Sequence, residues 1–367
     1  MASAAASVFE ALRAFRVRTP DLFEPATRLV VAFSGGQDST CLLHALHMLQ
    51  PDLNILAAHV DHALRPDSAE AGERACELAV SIGTRTVVRR VDVAGYRKQR
   101  SIQHAARAAR YQVLSAIVKE TGARGLLVAH TADDQAETVL LHLIRGSGLR
   151  GLSGMPADET IDPHRLGPPL QDVDVPEAVR VARPLLTLER ATTSAYCAEI
   201  GLAVVEDASN QSRAYTRNRV RLDLLPLLEQ FNPAIRSVLV RTAEMAADDV
   251  AALDEIVISV HRQVARSTSA DAVVYDLRGF KAQPRALQRR LLRHALVYLV
   301  GTLEDVHAAP IEDALALVRS GQAGQAYHLP YGVELVIGDE DVKLRRFGAA
   351  RRRVTTRNNW GKEASRV

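Results

Sequence analysis

The stretch VAFSGGQDSTCLL, residues 31–43 of this 367-residue chain, has the residue types of a phosphate-holding turn. Gly35 and Gly36 let the backbone turn tightly and approach a ligand closely. A helix starting near Asp38 and Ser39 would aim its free amides and positive dipole end at that turn, which makes an anion site. A kinase-type loop would carry a Lys-Ser or Lys-Thr pair after a longer glycine-rich loop, and the chain has none. Phosphates would therefore be held by backbone amides and the hydroxyls of Ser34, Ser39 and Thr40. Asp38 repels phosphate directly but suits a Mg²⁺ that bridges to it. The same residues also suit a plain strand-to-helix turn capped by Asp38 and Ser39. The loop alone leaves both readings open.

A second cluster lies in AHTADDQAETVLLHLIRGSGLRGLSGM, residues 129–155. Asp133 and Asp134 stand four and three residues before Glu137, so on a helix the three acids share a face in its first turns. Thr131 with Asp134 has the spacing of a capping box. Such acids can simply complement the helix dipole, but three carboxylates exceed what capping needs. They suit Mg²⁺ or an amine, and His130 or a carboxylate could accept a proton from that amine. Basic residues form the third group. Arg107 and Arg110 are spaced to face one anion from a helix. Arg217, Asn218, Arg219 and Arg221 suit RNA phosphates or ion pairs with the chain's own acids.

These groups need a scaffold that gathers them. Apolar runs at 28–33, 54–60, 86–93 and 125–130 are expected strands, separated by helical periodicity. That alternation predicts an α/β fold with a doubly wound, mostly parallel sheet, in which ligands bind at the carboxyl ends of the strands. Ser34, Asp61-His62 and His130-Thr131 fall at those ends. RVARPLL, at 180–186, is expected as a late strand, and 156–178 as a Pro- and Asp-rich surface loop. We expect a catalytic domain over 1–228. A smaller, mainly helical domain follows over 229–347, ending in a hairpin with Gly338-Asp339 at its turn. A basic, disordered tail with Arg351, Arg352 and Arg353 completes the chain over 348–367.

Composition is that of an ordinary globular protein, with 47% hydrophobic and 24% charged residues and a net charge of +3. No apolar run is long enough to span a bilayer, and the start MASAAASVFEALRAF is expected as a short amphipathic helix, not a signal peptide. Cys41, Cys76 and Cys197 form neither a zinc spacing nor a CxxC pair. A cytoplasmic setting without membrane attachment fits. The oligomeric state stays open, a homodimer included.

SGGQDS matches the SGGxDS signature of the PP-loop ATP pyrophosphatases. The resemblance implies attack at the α-phosphate of ATP, release of pyrophosphate and an adenylated intermediate. Five ordered segments resemble the tRNA(Ile)-lysidine synthases more narrowly: VDHALR (60–65), AARAARYQVL (105–114), HTADDQAET, RGSGLRGLSGM and DASNQSRAYTRNRVRLDLLPLL (207–228). The likeness is strong over 28–228 and loose to 347. A larger extra C-terminal domain found in some members is not expected here, and 156–178 is longer than the family leads one to expect.

The resemblance implies ligation of free L-lysine to the wobble cytidine of tRNA(Ile) with anticodon CAU, using ATP and Mg²⁺. It implies ATP binding by Ser34, Gly35, Gly36, Gln37, Asp38, Ser39, His62 and Arg65, and lysine binding by Asp134 and Glu137. Catalytic roles fall to Asp38, Arg110, His130, Asp134 and Glu137, tRNA contact to Arg145, Arg217, Arg219 and Arg221, and metal binding to Asp38 and Asp133. Asp207, Ser209 and Asn210 would order a nearby loop. Two other activities share the loop. A tRNA thiolase would call for paired cysteines, which are missing. A nucleotide-sensing regulator would leave the acidic and basic clusters without a use.

Overall fold

The computed structural model describes residues 3–62, 68–93, 102–205, 212–301 and 308–347. Arg65, Asp207, Ser209, Asn210 and the basic tail lie outside them. Two compact units divide between Ala247 and Asp248, later in the chain than the boundary expected at 228.

The first unit is built on a six-stranded sheet: β1 (Arg28–Ala32), β2 (Asn54–Asp61), β3 (Arg85–Arg90), β4 (Gly125–Leu127), β5 (Asp158–Ile161) and β6 (Val179–Ala182), in the order β3-β2-β1-β4-β6-β5. All neighbours pair in parallel except β5 with β6. The helices are α1 (Ala4–Arg18), α2 (Gln37–Leu49), α3 (Ser68–Ser81), α4 (Ile102–Thr121), α5 (Ala132–Ile144), α6 (Leu149–Leu152), α7 (Arg190–Ile200), α8 (Thr216–Arg219) and α9 (Leu225–Phe231). A π turn, Val220–Leu224, joins the last two, and α10 (Ile235–Val264) follows.

Both faces of the sheet are covered, as a parallel sheet requires. The period-two alternation of β1 shows how: Leu29 and Val31 face a core with α1, α2, α3 and α7, and Val30 faces one with α4. The chain runs outward from β1 to β2 and β3, then returns to β4 on the other side of β1. The crevice between the ends of β1 and β4 is thus the topological switch point, where such sheets bind ligands.

The segment 156–178, expected as an irregular surface loop, contains edge strand β5. Asp158 is held by Arg180 of β6 (Nε–Oδ1 2.9 Å, Nη2–Oδ2 2.7 Å). Farther along, the Gln112 amide of α4 donates to the carbonyls of Gly167 and Pro168 and accepts the Leu170 amide at 3.1 Å.

The second unit carries the later part of α10, then β7 (Ala265–Thr268), β8 (Ala272–Asp276), α11 (Leu277–Ala282), α12 (Arg285–Val300), α13 (Ala308–Ser320), β9 (Ala326–Leu329), β10 (Val333–Ile337) and β11 (Asp341–Arg346). The expected hairpin is β10–β11, with Gly338 N–H closing on the Asp341 carbonyl at 2.8 Å. It belongs to a five-stranded antiparallel sheet, β7-β8-β11-β10-β9. Val273, Tyr275, Leu335, Ile337, Val342 and Leu344 from this sheet pack on Leu291, Leu292, Leu296 and Leu315 of α12 and α13. The unit is therefore helices on a sheet, more strand-rich than the helical periodicity suggests.

Candidate active site at the switch point

The glycine loop is organised by its own hydroxyls. Ser39 Oγ donates to the Gly36 carbonyl at 2.9 Å and accepts the Ser34 amide at 3.2 Å, while Thr40 Oγ1 donates to the Gly35 carbonyl at 3.1 Å. Gly35 sits at φ +78°, and a Cβ there would lie 3.0 Å from Val205 Cγ2 and 3.1 Å from Ala75 Cβ. Both the turn and the packing therefore require glycine. Gly36 is the N-cap of α2 and no side chain caps the helix. The first-turn amides have no intrahelical acceptor and face the loop. The alternative reading, a turn capped by Asp38 and Ser39, is not what the side chains do.

Asp38 instead turns to α7. Thr193 Oγ1 donates to Asp38 Oδ1, and Arg190 Nε donates to Asp38 Oδ2 at 3.2 Å. Burial raises the Asp38 carboxyl above its ordinary value, and Thr193 and Arg190 oppose that without cancelling it.

The acids of α5 are brought together as their spacing implies, each of them against arginine. Asp134 reaches back to accept the Thr131 amide at 3.0 Å and hydroxyl at 3.1 Å, fixing the helix start as the capping-box spacing suggests. Its other oxygen accepts from Arg217 Nη2 at 3.0 Å and Arg190 Nη2 at 3.1 Å. Glu137, with no exposed surface, accepts from Arg217 Nε at 2.7 Å and Arg221 Nε at 2.6 Å. Asp133 accepts from Arg236 Nη1 and from the Arg190 amide, both at 2.7 Å. Burial alone would raise the Asp134 carboxyl, but Arg217 and Arg190 outweigh it and hold it well below the usual carboxylate range.

Arg217 and Arg221, expected to meet RNA, are thus bound to the protein's own acids. Asp38 and Asp133, expected to share a metal, are each turned to arginine. Among the described residues no group of three or more His, Cys, Asp or Glu is arranged to hold a metal ion. The donors do not fit a protein-built Mg²⁺ site.

His130 is buried at the end of β4, and its Nδ1 accepts from Arg183 Nε at 3.2 Å. Burial, with Arg183 adding to it, pushes the imidazole well below its ordinary range. Its Nδ1, the nitrogen that faces Arg183, is occupied as an acceptor. The expectation that it takes a proton from an amine does not fit this geometry.

On α4 the pattern reverses. Arg107 and Arg110 form no ion pair or hydrogen bond among the described residues. Their guanidinium carbons lie 5.0 and 5.8 Å from the ring centroid of buried Tyr111, whose hydroxyl also faces Arg183. His62 has an unpartnered Nδ1. Burial, with Arg110 adding to it, pushes its imidazole down to about 4.

Two expected residues stay outside this constellation. Arg145 is exposed at the C-cap of α5, a helix of 13 residues or about 20 Å. Arg219 is exposed on α8. Sequence reasoning missed Arg183, Arg190, Thr193 and Arg236. The first two flank the end of β6, so the strand-end rule, applied to RVARPLLTLER, would have found them. It also missed Gln135, whose amide clasps Met155 at both backbone groups, 2.8 and 3.1 Å. Any Cβ on Gly154 would come within 2.6 Å of that amide.

A PP-loop domain model matches residues 9–228, and a TilS substrate binding domain model matches residues 276–353. The chain is 35% identical to a tRNA(Ile)-lysidine synthase of Dehalococcoides mccartyi, over 86% of this chain and 65% of that protein. With the corresponding protein of Geobacter sulfurreducens it shares 34% identity, over 88% of this chain and 66% of that one. It thus spans just under two thirds of both relatives. The Salinispora tropica synthase is matched at 36% identity over 92% of this chain and 96% of its own length. Among solved structures, the U34-tRNA thiolase NcsA from Methanococcus maripaludis aligns with a TM-score of 0.50 at 18% identity, over 65% of this chain and 77% of that one, a likeness of fold. With a PP-loop model over most of its length and a relative of nearly equal length at this identity, the chain belongs to the tRNA(Ile)-lysidine synthase family.

Proposed function

We propose that the protein joins free L-lysine to the wobble cytidine of tRNA(Ile) with anticodon CAU, which changes decoding from AUG to AUA. In the first step the cytidine O2 attacks the α-phosphate of ATP and diphosphate leaves. In the second an amine of lysine attacks C2 and AMP leaves. A cytosine carbonyl oxygen is a poor leaving group, and adenylation makes it a good one. The observation that carries this reading is the uncapped start of α2 at the same crevice as the α5 acids. A phosphate-binding end and a cation-binding end meet at the switch point.

The loop from Ser34 to Ser39 holds the pyrophosphate part of ATP through amides and hydroxyls. Arg107 and Arg110, having no internal partners, supply positive charge for the reacting phosphate. Mg²⁺ arrives on the triphosphate, since Asp38 and Asp133 build no site for it. Asp134 and Glu137 are already neutralised, so lysine binds there once Arg217 or Arg221 has turned from carboxylate to tRNA phosphate. That exchange makes lysine affinity depend on bound tRNA. Among the described residues no helix is long and apolar enough to cross a membrane, and the setting we propose is the cytoplasm.

Labelled lysine, offered with a CAU-anticodon tRNA(Ile) transcript, should be incorporated only with ATP and not when the wobble cytidine is uridine. Asp38→Ala, which releases Arg190 and Thr193 beside the phosphate loop, should slow diphosphate release while tRNA still binds. Diphosphate release without lysine incorporation would keep the adenylation and move the nucleophile to another class, such as sulfur. Neither signal would leave a nucleotide-binding protein without this reaction.

A further inference from the structure

Arg190, the first residue of α7, touches all four acids placed at the crevice. Its Nε lies 3.2 Å from Asp38 Oδ2, its Nη2 3.1 Å from Asp134 Oδ1 and its Nη1 3.8 Å from Glu137 Oε1. Its backbone amide donates to Asp133 Oδ2 at 2.7 Å. The other arginines reach less far. Arg217 and Arg221 pair with Asp134 and Glu137, and Arg236 with Asp133 and Glu229. Among the described residues, Arg190 is the only arginine that joins Asp38, beside the phosphate loop, to the acids of α5.

Its side chain can leave without stripping any acid. Asp38 keeps Thr193 on its other oxygen. Asp134 keeps Thr131 and Arg217, and Glu137 keeps Arg217 and Arg221. Asp133 keeps Arg236 and the Arg190 amide, which belongs to the backbone and stays when the guanidinium turns. The contacts of that guanidinium, 3.1–3.8 Å, are also longer than the 2.6–2.7 Å by which Arg217, Arg221 and Arg236 hold Glu137 and Asp133.

The two small substrates pull on this side chain in one direction. A triphosphate in the glycine loop sets negative charge beside Asp38, and Arg190 is placed to turn to it. An ammonium arriving at Asp134 and Glu137 repels the same guanidinium from the other side. Each ligand favours the arrangement that the other needs, which is the condition for positive coupling between two sites.

We propose that Arg190 is a positioning residue that couples the two half-sites: by turning from Asp134 and Glu137 towards the phosphates of ATP, it opens those acids to the lysine ammonium. The inference rests on the reading of the site as an ATP-dependent lysine ligase. It adds ATP to tRNA as a condition for lysine binding.

The test is equilibrium dialysis of labelled lysine against the full chain saturated with tRNA(Ile), with and without α,β-methylene-ATP. The α–β link of that analogue cannot be cleaved, so no adenylate forms. Wild type should bind lysine roughly tenfold more tightly with the analogue present, and lysine should tighten the analogue by the same factor. In Arg190→Gln both ratios should fall to about one. Arg190→Lys, which keeps the charge, should retain part of the coupling. A merely structural role would weaken both ligands and leave the ratio in place. No ratio in wild type, or one that survives in Arg190→Gln, would overturn the inference while lysine incorporation by wild type still upholds the functional reading. A wild type that neither binds nor incorporates lysine would overturn that reading, and this inference with it.

Discussion

The two charged clusters at the switch-point crevice use the same kinds of residue and are finished in opposite ways. On α5, Asp133, Asp134 and Glu137 are covered by arginines from elements far away in sequence. On α4, Arg107 and Arg110 have no carboxylate partner among the described residues. A buried charge needs partners to remain charged, so the α5 acids and their arginines are first a structural unit. The unmatched positive charge sits on α4, and that is where an anion gains most from binding.

The widest separation between the two should appear in stability. Glu137→Ala leaves Arg217 and Arg221 without their shared carboxylate, and breaking such a buried pair costs about 3–5 kcal/mol. Urea unfolding measures it, and a loss below about 1 kcal/mol would mean the cluster is not the structural unit described. Arg107→Ala with Arg110→Ala should change stability by no more than about 0.5 kcal/mol and slow lysine incorporation roughly 10²-fold. A large stability loss without a rate effect would invert the comparison.

Acid should part the clusters next. His62 has its folded value depressed to about 4. Its stabilising contribution is present above the unfolded value of about 6.5 and is lost as pH falls from there towards 4. Asp134 is also depressed, but its contribution is present above the unfolded carboxylate value of about 3.9 and is lost only as pH falls below it. Unfolding free energy of wild type should therefore decline in two stages, and His62→Gln should reduce the first, to which the buried His130 and His261 also contribute, while leaving the second unchanged. A single stage below pH 4 in both proteins would refute the His62 assignment. The smallest effect separates near neighbours in the chain. Arg219→Ala should leave stability within about 0.5 kcal/mol of wild type, while Arg217→Ala lowers it measurably in the same urea series.

The parts of this arrangement visible in the sequence are those set by local pattern. The strands β1, β2 and β4 are apolar runs bounded by polar ends, and the strand-end rule put Ser34, His62 and His130 at one edge. The sequence DETI of β5 is polar, as an exposed edge strand can be, so its periodicity carries no signal. In the second unit β7 and β9 have four residues each, shorter than the window in which alternation can be told from chance. The acids of α5 share a face because helical spacing says so. Which arginines meet them is set by contacts such as Glu137 with Arg217, 80 positions apart. Nothing local distinguishes Arg217, turned inward, from Arg219, turned outward, two residues later on the same helix.

The Gln112 amide bears on how the 156–178 segment is held against the sheet. One side chain on a core helix grips three backbone groups, at Gly167, Pro168 and Leu170, and so works as a mooring for the segment. Cutting the mooring should make it a protease target: with Gln112→Leu, trypsin should nick the segment at Arg165 under native conditions, while the sheet on both sides stays folded.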